Sequence, residues 1–290
     1  MFAIAGITVV IAAVVGGYLM EHGNLLVLLQ PAELLIIGGA AIGTVLTANP
    51  PAVLKELVGS LMGVIKGSKY TKAYYLESMK LFFELFQTAR RGGISALEAD
   101  FEDPFKSQLF AKYPNVLKDH HAVHFVCDTL RMVSTGGSSP FDLDQMMEAD
   151  IDVHHKIKHQ PVAALSTMAD SLPGLGIVAA VLGVVITMGA LGGPPEEIGH
   201  KVAAALVGTF LGILMCYGMF GPLAANMSAL NDDEGYYYNF LRAALTAFTK
   251  GATPIIVLEF GRRVVPAPVR PSFQEMESSC RGTPKAEEAA

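Results

Sequence analysis

The chain has no tryptophan, three cysteines in 290 residues and only 17% charged side chains. A soluble domain carries roughly 25% charged residues, so the shortage points to a membrane class. Cys127, Cys216 and Cys280 are odd in number and far apart, which excludes a disulfide framework and fits reduced thiols. Charge is missing in blocks: Met1–Met20, Leu34–Leu54, Ser171–Pro195 and Val202–Asn231 contain no Asp, Glu, Lys or Arg. A hydrocarbon layer of about 30 Å needs roughly 20 apolar residues as helix, because a spanning backbone must satisfy its own hydrogen bonds. Each block is long enough, the second starting effectively near Ala32 because it contains Pro50-Pro51. Four transmembrane helices are predicted. No Lys or Arg precedes the first apolar run, so that run reads as a retained span and not as a secretory leader. The net charge of −6 gives no reason to expect a nucleic-acid partner.

Lys and Arg are as uneven as the apolar blocks. Thirteen of the 21 fall in residues 49–161 and seven after Ala224, while the turn Glu21–Gln30 has none. Basic residues mark the cytoplasmic side, so the long loop, the tail and both termini are predicted to be cytoplasmic. The expected fold class is all-α, an integral membrane protein with four transmembrane helices and a large helical cytoplasmic domain. Its predicted parts are a transmembrane hairpin (1–48), a cytoplasmic helical domain (49–168), a second hairpin (169–225) and a cytoplasmic C-terminal helix with a disordered tail (226–290).

Within the loop, "KAYYLESMKLFFELFQTA" places Leu76, Met79, Phe83 and Phe86 on one face of an amphipathic helix ended by Gly92-Gly93. "ISALEADFEDP" offers Ser95 as N-cap with Glu98 three residues on, the spacing of a capping box. "VHFVCDTLRMV" is a third helix. "FDLDQMMEADIDVHHKIKH" is a fourth, expected to lead straight into the third span. "YYYNFLRAALTAFTK" reads as an interfacial or cytoplasmic helix, and the segment from Pro266 is proline-broken and polar, disordered at its end.

The segment "SLPGLGIVAAVLGVVITMGALGGPP" carries six glycines inside a spanning run. Membrane helices gain little from burying apolar surface on one another, so small residues that let backbones approach favour association. Gly176/Ala180, Ala179/Gly183, Ala204/Gly208/Gly212 and Gly39/Gly43 are such steps, predicting tight packing within or between chains. Pro173 and Pro222 lie near the cytoplasmic ends of the third and fourth spans, at equal depth if the hairpin is in register. Each can be a hinge, or simply a first-turn proline and a helix end. Thr209 shares a face with Ala205, Gly212 and Cys216, with Tyr217 close by. Glu33 lies near the outer end of the second span, and nothing titratable lies mid-membrane in the last two. Proton relays use intramembrane carboxylates, so a proton path here requires a carboxylate from a partner.

His120/His124 and His155/His159 are spaced four apart as metal ligands on a helix would be, but the glutamate of a zinc hydrolase motif is absent. Solvated helix faces are the expectation, with no metal and no catalytic residue. Arg90 and Arg91, followed by Glu98, Asp100, Glu102 and Asp103, form either a solvated charge run or a surface that steers a partner.

Several of these stretches resemble one family. "QPAELLIIGGAAIGT", "LFAKYPNVLKDHHAVHFVCDTLRMV", "ADSLPGLGIVAAVLGVV", "LVGTFLGILMCYGMFGPLA" and "EFGRR…RPSFQEME" look like the A subunit of the bacterial flagellar stator, the MotA family, over nearly the whole chain and in the same order. The resemblance implies an inner-membrane ring of A subunits around two copies of a peptidoglycan-anchored, MotB-like B subunit that supplies the ion-binding aspartate. Ion flow through that complex pushes on the rotor switch protein FliG. Pro173 and Pro222 match prolines that couple ion passage to movement, and Thr209, Ala180 and Tyr217 match positions beside the ion path, with which Glu33 is grouped. Arg90 and Glu98 match the charged pair that meets the rotor, Arg91 being an alternative to Arg90. Alanine at 180 implies protons, not sodium, as the coupling ion, with no other cofactor. The histidine-rich "VHHKIKHQ" departs from the acidic stalk common in relatives. The alternatives are an energiser of outer-membrane transport of the ExbB/TolQ kind and a histidine-cluster metal-dependent membrane enzyme or sensor.

Overall fold

The structure is a computed structural model that describes residues 2–189 and 192–281. All regular structure among these residues is helical. The longer helices are α1 (Phe2–Met20), α2 (Pro31–Ala48), α3 (Pro51–Lys66), α4 (Lys72–Gly92), α5 (His120–Thr135), α6 (Pro140–Met188), α7 (Pro195–Met215), α8 (Gly221–Thr249), α9 (Pro254–Val264) and α10 (Phe273–Arg281). Four helical stretches are long and apolar enough to cross a membrane: Phe2–Met20, Leu25–Ala48, Pro140–Met188 and Pro195–Thr249. The chain is a four-span membrane protein, and the fourth loop helix does run unbroken into the third span.

Two compact units divide the chain: residues 1–67 with 157–231, and residues 68–156 with 232–290. By this division residues 49–67 and 157–168 group with the spans. In the first unit, Ile37 and Ala41 of α2 pack with Ala169, Leu172 and Ala179 of α6 and with Cys216. Val53, Leu57 and Val64 of α3 pack with Val162, Leu165, Ala224 and Met227. Lys158 bridges Glu56 at 2.9 Å, and the Asn231 amide donates to the Lys158 carbonyl at 2.7 Å.

The second unit is an aromatic-rich helical core. Tyr75, Phe82 and Phe86 of α4 stack or meet edge-on with Tyr237, Phe240 and Phe248 of α8. Such pairs add about 0.5–1.5 kcal/mol each beyond their burial. The buried stripe of α4 is therefore centred one residue away from the predicted one: Leu76 and Phe83 lie at its edge, while Tyr75, Phe82 and Leu85 are enclosed. "YYYNFLRAALTAFTK" spends its apolar face on the protein itself. Tyr237, Tyr238, Phe240, Leu241, Ala244 and Leu245 are all buried in the protein core.

Two local expectations fail for identifiable reasons. Ser95 caps no helix: Gly93, at φ 77°, starts a 3-10 turn over Ile94–Leu97 that carries Ser95 inside it and buries Leu97. The box forms instead at Ser272, whose Oγ accepts from Glu275 N at 3.1 Å while Glu275 accepts from Ser272 N at 2.6 Å. It opens α10 within the segment read as proline-broken. The tail end expected to be disordered, residues 282–290, lies outside the described residues.

Candidate functional site

The third and fourth spans meet on glycine. A methyl group at Gly212 would sit 2.5 Å from the Leu172 carbonyl oxygen, and one at Gly176 would sit 2.9 Å from the Gly208 carbonyl oxygen. At Gly183 it would meet Ala205 Cβ at 2.7 Å. Backbone cannot yield as a side-chain tip can, so these positions admit only hydrogen. The small-residue steps of α6 and α7 thus pack against each other within one chain. Gly39 and Gly43 meet no close neighbour across the bundle.

This register also fixes the prolines. With Gly176 against Gly212 and Gly183 against Ala205, Pro173 falls level with Met215. Pro222 lies seven residues further along, about 10 Å or two turns away by helical rise. The two are not at equal depth. Nor is Pro173 a first-turn proline: it sits deep inside α6, as does Pro161, which sequence reading passed over. Pro222 does not end a helix either. Residues Cys216–Phe220 form a π turn in which Gly221 N–H bonds to the Cys216 carbonyl, and α8 continues beyond it. An interior proline removes one i→i−4 bond and clashes with that carbonyl; the wider turn just before it relieves the clash. Pro222 is exposed on a 320 Å³ groove shared with Phe2, Gly6 and Val10 of α1.

Glu33 is buried at 7% exposure in the first turn of α2. Its Oε2 has no hydrogen-bond partner among the described residues. The carboxylate lies against Gly208, where a methyl group would come within 2.7 Å of Oε2 and 3.1 Å of Ala179 Cβ. Gly208 stands six residues into the uncharged run that begins at Val202, roughly 9 Å along the helix. Glu33 is therefore at the N-terminal end of its own span, yet lies against the apolar run of the fourth. Thr209 is the next residue, and Ala180 follows Ala179; both are half-buried. Thr8, Thr44, Thr47, Thr167 and Thr187 each donate to their own i−4 carbonyl at 2.8–2.9 Å. Thr209 makes no hydroxyl hydrogen bond within the described residues. Tyr217, 73% exposed in the π turn, does not join Glu33 and Thr209.

The charged residues lie on the second unit. Arg90 and Arg91 occupy the last turn of α4 and Glu98 opens the helix Glu98–Glu102, each sign favourable for its helix end. All three are exposed. Arg90 and Arg91 line one 850 Å³ cavity, and Glu98 lies outside its wall. His120 and His124 are exposed, as solvated faces should be, and flank Phe105. His154 is half-buried and departs from that expectation, and His121, though exposed, packs against it. Their rings lie 4.1 Å apart, His121 Nδ1 is 2.8 Å from the Tyr238 hydroxyl, and His154 Nε2 is 3.1 Å from Glu234. Burial and the neighbouring imidazole hold the His121 pKa below the ordinary histidine value.

Fold and site together define a class: a polytopic helical membrane protein whose glycine-packed hairpin has a buried carboxylate of the second span set against it and continues into a charge-rich helical unit. Residues 4–93 match the family described as Motility protein A N-terminal, and residues 118–238 match the MotA/TolQ/ExbB proton channel family. The chain is 38% identical over 281 residues to Motility protein A of Escherichia coli, covering 97% of this chain and 95% of that one. It is 38% identical over 272 residues to chemotaxis protein LafT of Vibrio parahaemolyticus, covering 94% and 95%. Its fold matches the Campylobacter jejuni MotAB structure (TM-score 0.76, 20% identity, 93% and 98% covered) and the flagellar MotAB stator complex of Bacillus subtilis (TM-score 0.74, 24% identity, 92% and 96% covered). The chain belongs to the Motility protein A family.

Proposed function

We propose that the chain is the A subunit of a flagellar stator in the bacterial inner membrane, with both termini cytoplasmic, acting as an ion-driven mechanical element and not as an enzyme. It assembles as a ring around a MotB-like B subunit. The observation that carries this reading is the hairpin formed by the spanning parts of α6 and α7 in a family member: glycine-tight, uncharged over Ser171–Pro195 and Val202–Asn231, and supplied with an unbonded Thr209 hydroxyl and the buried Glu33 carboxylate on one side. Such a wall lines a path but does not load it. The B subunit brings the second carboxylate, and Thr209 and Ala180 face it. Alanine at 180 leaves no side-chain oxygen to coordinate sodium, which favours protons. Each charge that crosses 100 mV releases about 2.3 kcal/mol, enough for a few protons to shift a helix that carries an interior proline at Pro173 and one that widens to a π turn before Pro222. The shift is read out by FliG at Arg90, Arg91 and Glu98.

Replacing Pro173 with alanine tests this. Expected is a protein that reaches the membrane and co-purifies with its B subunit while motility is lost. Swimming at wild-type speed counts against the coupling role.

A further inference from the structure

The cavity beside Arg90 and Arg91 has a third arginine. Arg281, at the end of α10, lines it together with Phe83, Ile255 and the half-buried Cys280. Its position is held by the docking of α10 on α4: Met276 is fully buried, and Glu275 pairs with Lys72 at 2.6 Å. Arg281 has one weak partner, Glu277 on its own helix at 3.2 Å. Arg90 and Arg91 form no ion pair with any described residue. Three arginines from two helices thus line one space together with apolar Phe83, Pro254 and Ile255, and no carboxylate lines it among the described residues. Guanidinium forks match carboxylates in geometry, and like charges held together favour an anionic visitor. The apolar lining suits a side chain beside the carboxylate.

We propose that Arg281 is a third rotor-contacting side chain, and that the cavity receives an acidic, partly apolar segment of the rotor switch protein. This rests on the reading of Arg90 and Arg91 given above and extends it to the C-terminal helix.

The test uses the full chain assembled with its B subunit in lipid nanodiscs and the purified rotor switch protein, measured at low salt, with motor torque in cells as a second readout. Arg281→Glu is exposed and at a helix end, so folding is not at stake. It should weaken binding about tenfold, the scale on which a reversed interfacial charge acts, and lower torque at unchanged membrane level. Arg281→Lys should keep most of both. Reversal of an acidic rotor residue should rescue Arg281→Glu. Unchanged binding and torque in Arg281→Glu, alongside loss in Arg90→Glu, overturns the inference and leaves the stator reading standing. No effect from either variant removes the rotor-facing role of the arginines and the inference with it. Inorganic phosphate that occupies the cavity while rotor binding ignores Arg281→Glu assigns it to a phosphate-bearing small molecule and also overturns the inference.

Discussion

Glu33 shows how one residue can be visible in the sequence while its surroundings are not. Its place at the start of the second span is read directly, but its contact is with Gly208, some 175 positions away, and only the missing Cβ there makes room for the carboxylate. Gly212 is the most exacting of the glycines, because Leu172 contributes a carbonyl oxygen and not a movable side chain. Gly212→Ala should lower thermal stability by about 1–3 kcal/mol or prevent assembly; a melting curve superimposable on wild type would show that the spans are packed differently. On the second unit, Glu259 accepts from Arg262 at 2.6 and 2.8 Å and from Arg263 at 2.6 Å, which pulls its carboxyl down to about 2. A carboxylate lowered on folding contributes stability above its unfolded pKa near 4.5, and that stability is lost as pH falls toward 2. Glu259→Gln should therefore cost on the order of 1–3 kcal/mol at pH 7 and little at pH 2.5. An equal loss at both pH values would contradict the ion pair as the cause.

Helices make the same point about what local signals can carry. The four spans, the uninterrupted α6 and the helical loop were legible because twenty uncharged residues in a row, or apolar residues three and four apart, constrain a helix wherever it packs. Ser95/Glu98 and Ser272/Glu275 have identical capping spacing, yet only the second pair forms. Gly92-Gly93 lets the first site fold into a 3-10 turn that buries Leu97, whereas Pro271 stops the chain just before the second. Ser272→Ala should loosen α10 by about 1 kcal/mol and raise hydrogen exchange in Glu275–Cys280. Unaltered protection there would mean that Met276 packing alone holds the helix. The π turn at Cys216–Phe220 was illegible, since nothing in the local pattern says whether Pro222 ends the fourth helix or sits inside it. Pro222→Ala should let the turn revert toward α geometry and uncouple motility from assembly, with membrane level and B-subunit binding retained; retained swimming would contradict that.

At the scale of the whole molecule the composition had already implied a wall without a cargo site. Four uncharged blocks place the chain in the bilayer, and none of the last two spans' residues between Ser171–Pro195 and Val202–Asn231 can carry a proton on a carboxylate. Glu33 qualifies that picture without reversing it: its Oε2, packed against Gly208, has no hydrogen-bond partner among the described residues to pass a proton to. On the proposed function, another polypeptide completes the path. Proton flux from liposomes tests this most directly. The chain purified alone should leave an imposed pH gradient intact, and co-reconstitution with the B subunit should dissipate it. Dissipation by the chain alone, abolished by Glu33→Gln, would contradict the account at its centre.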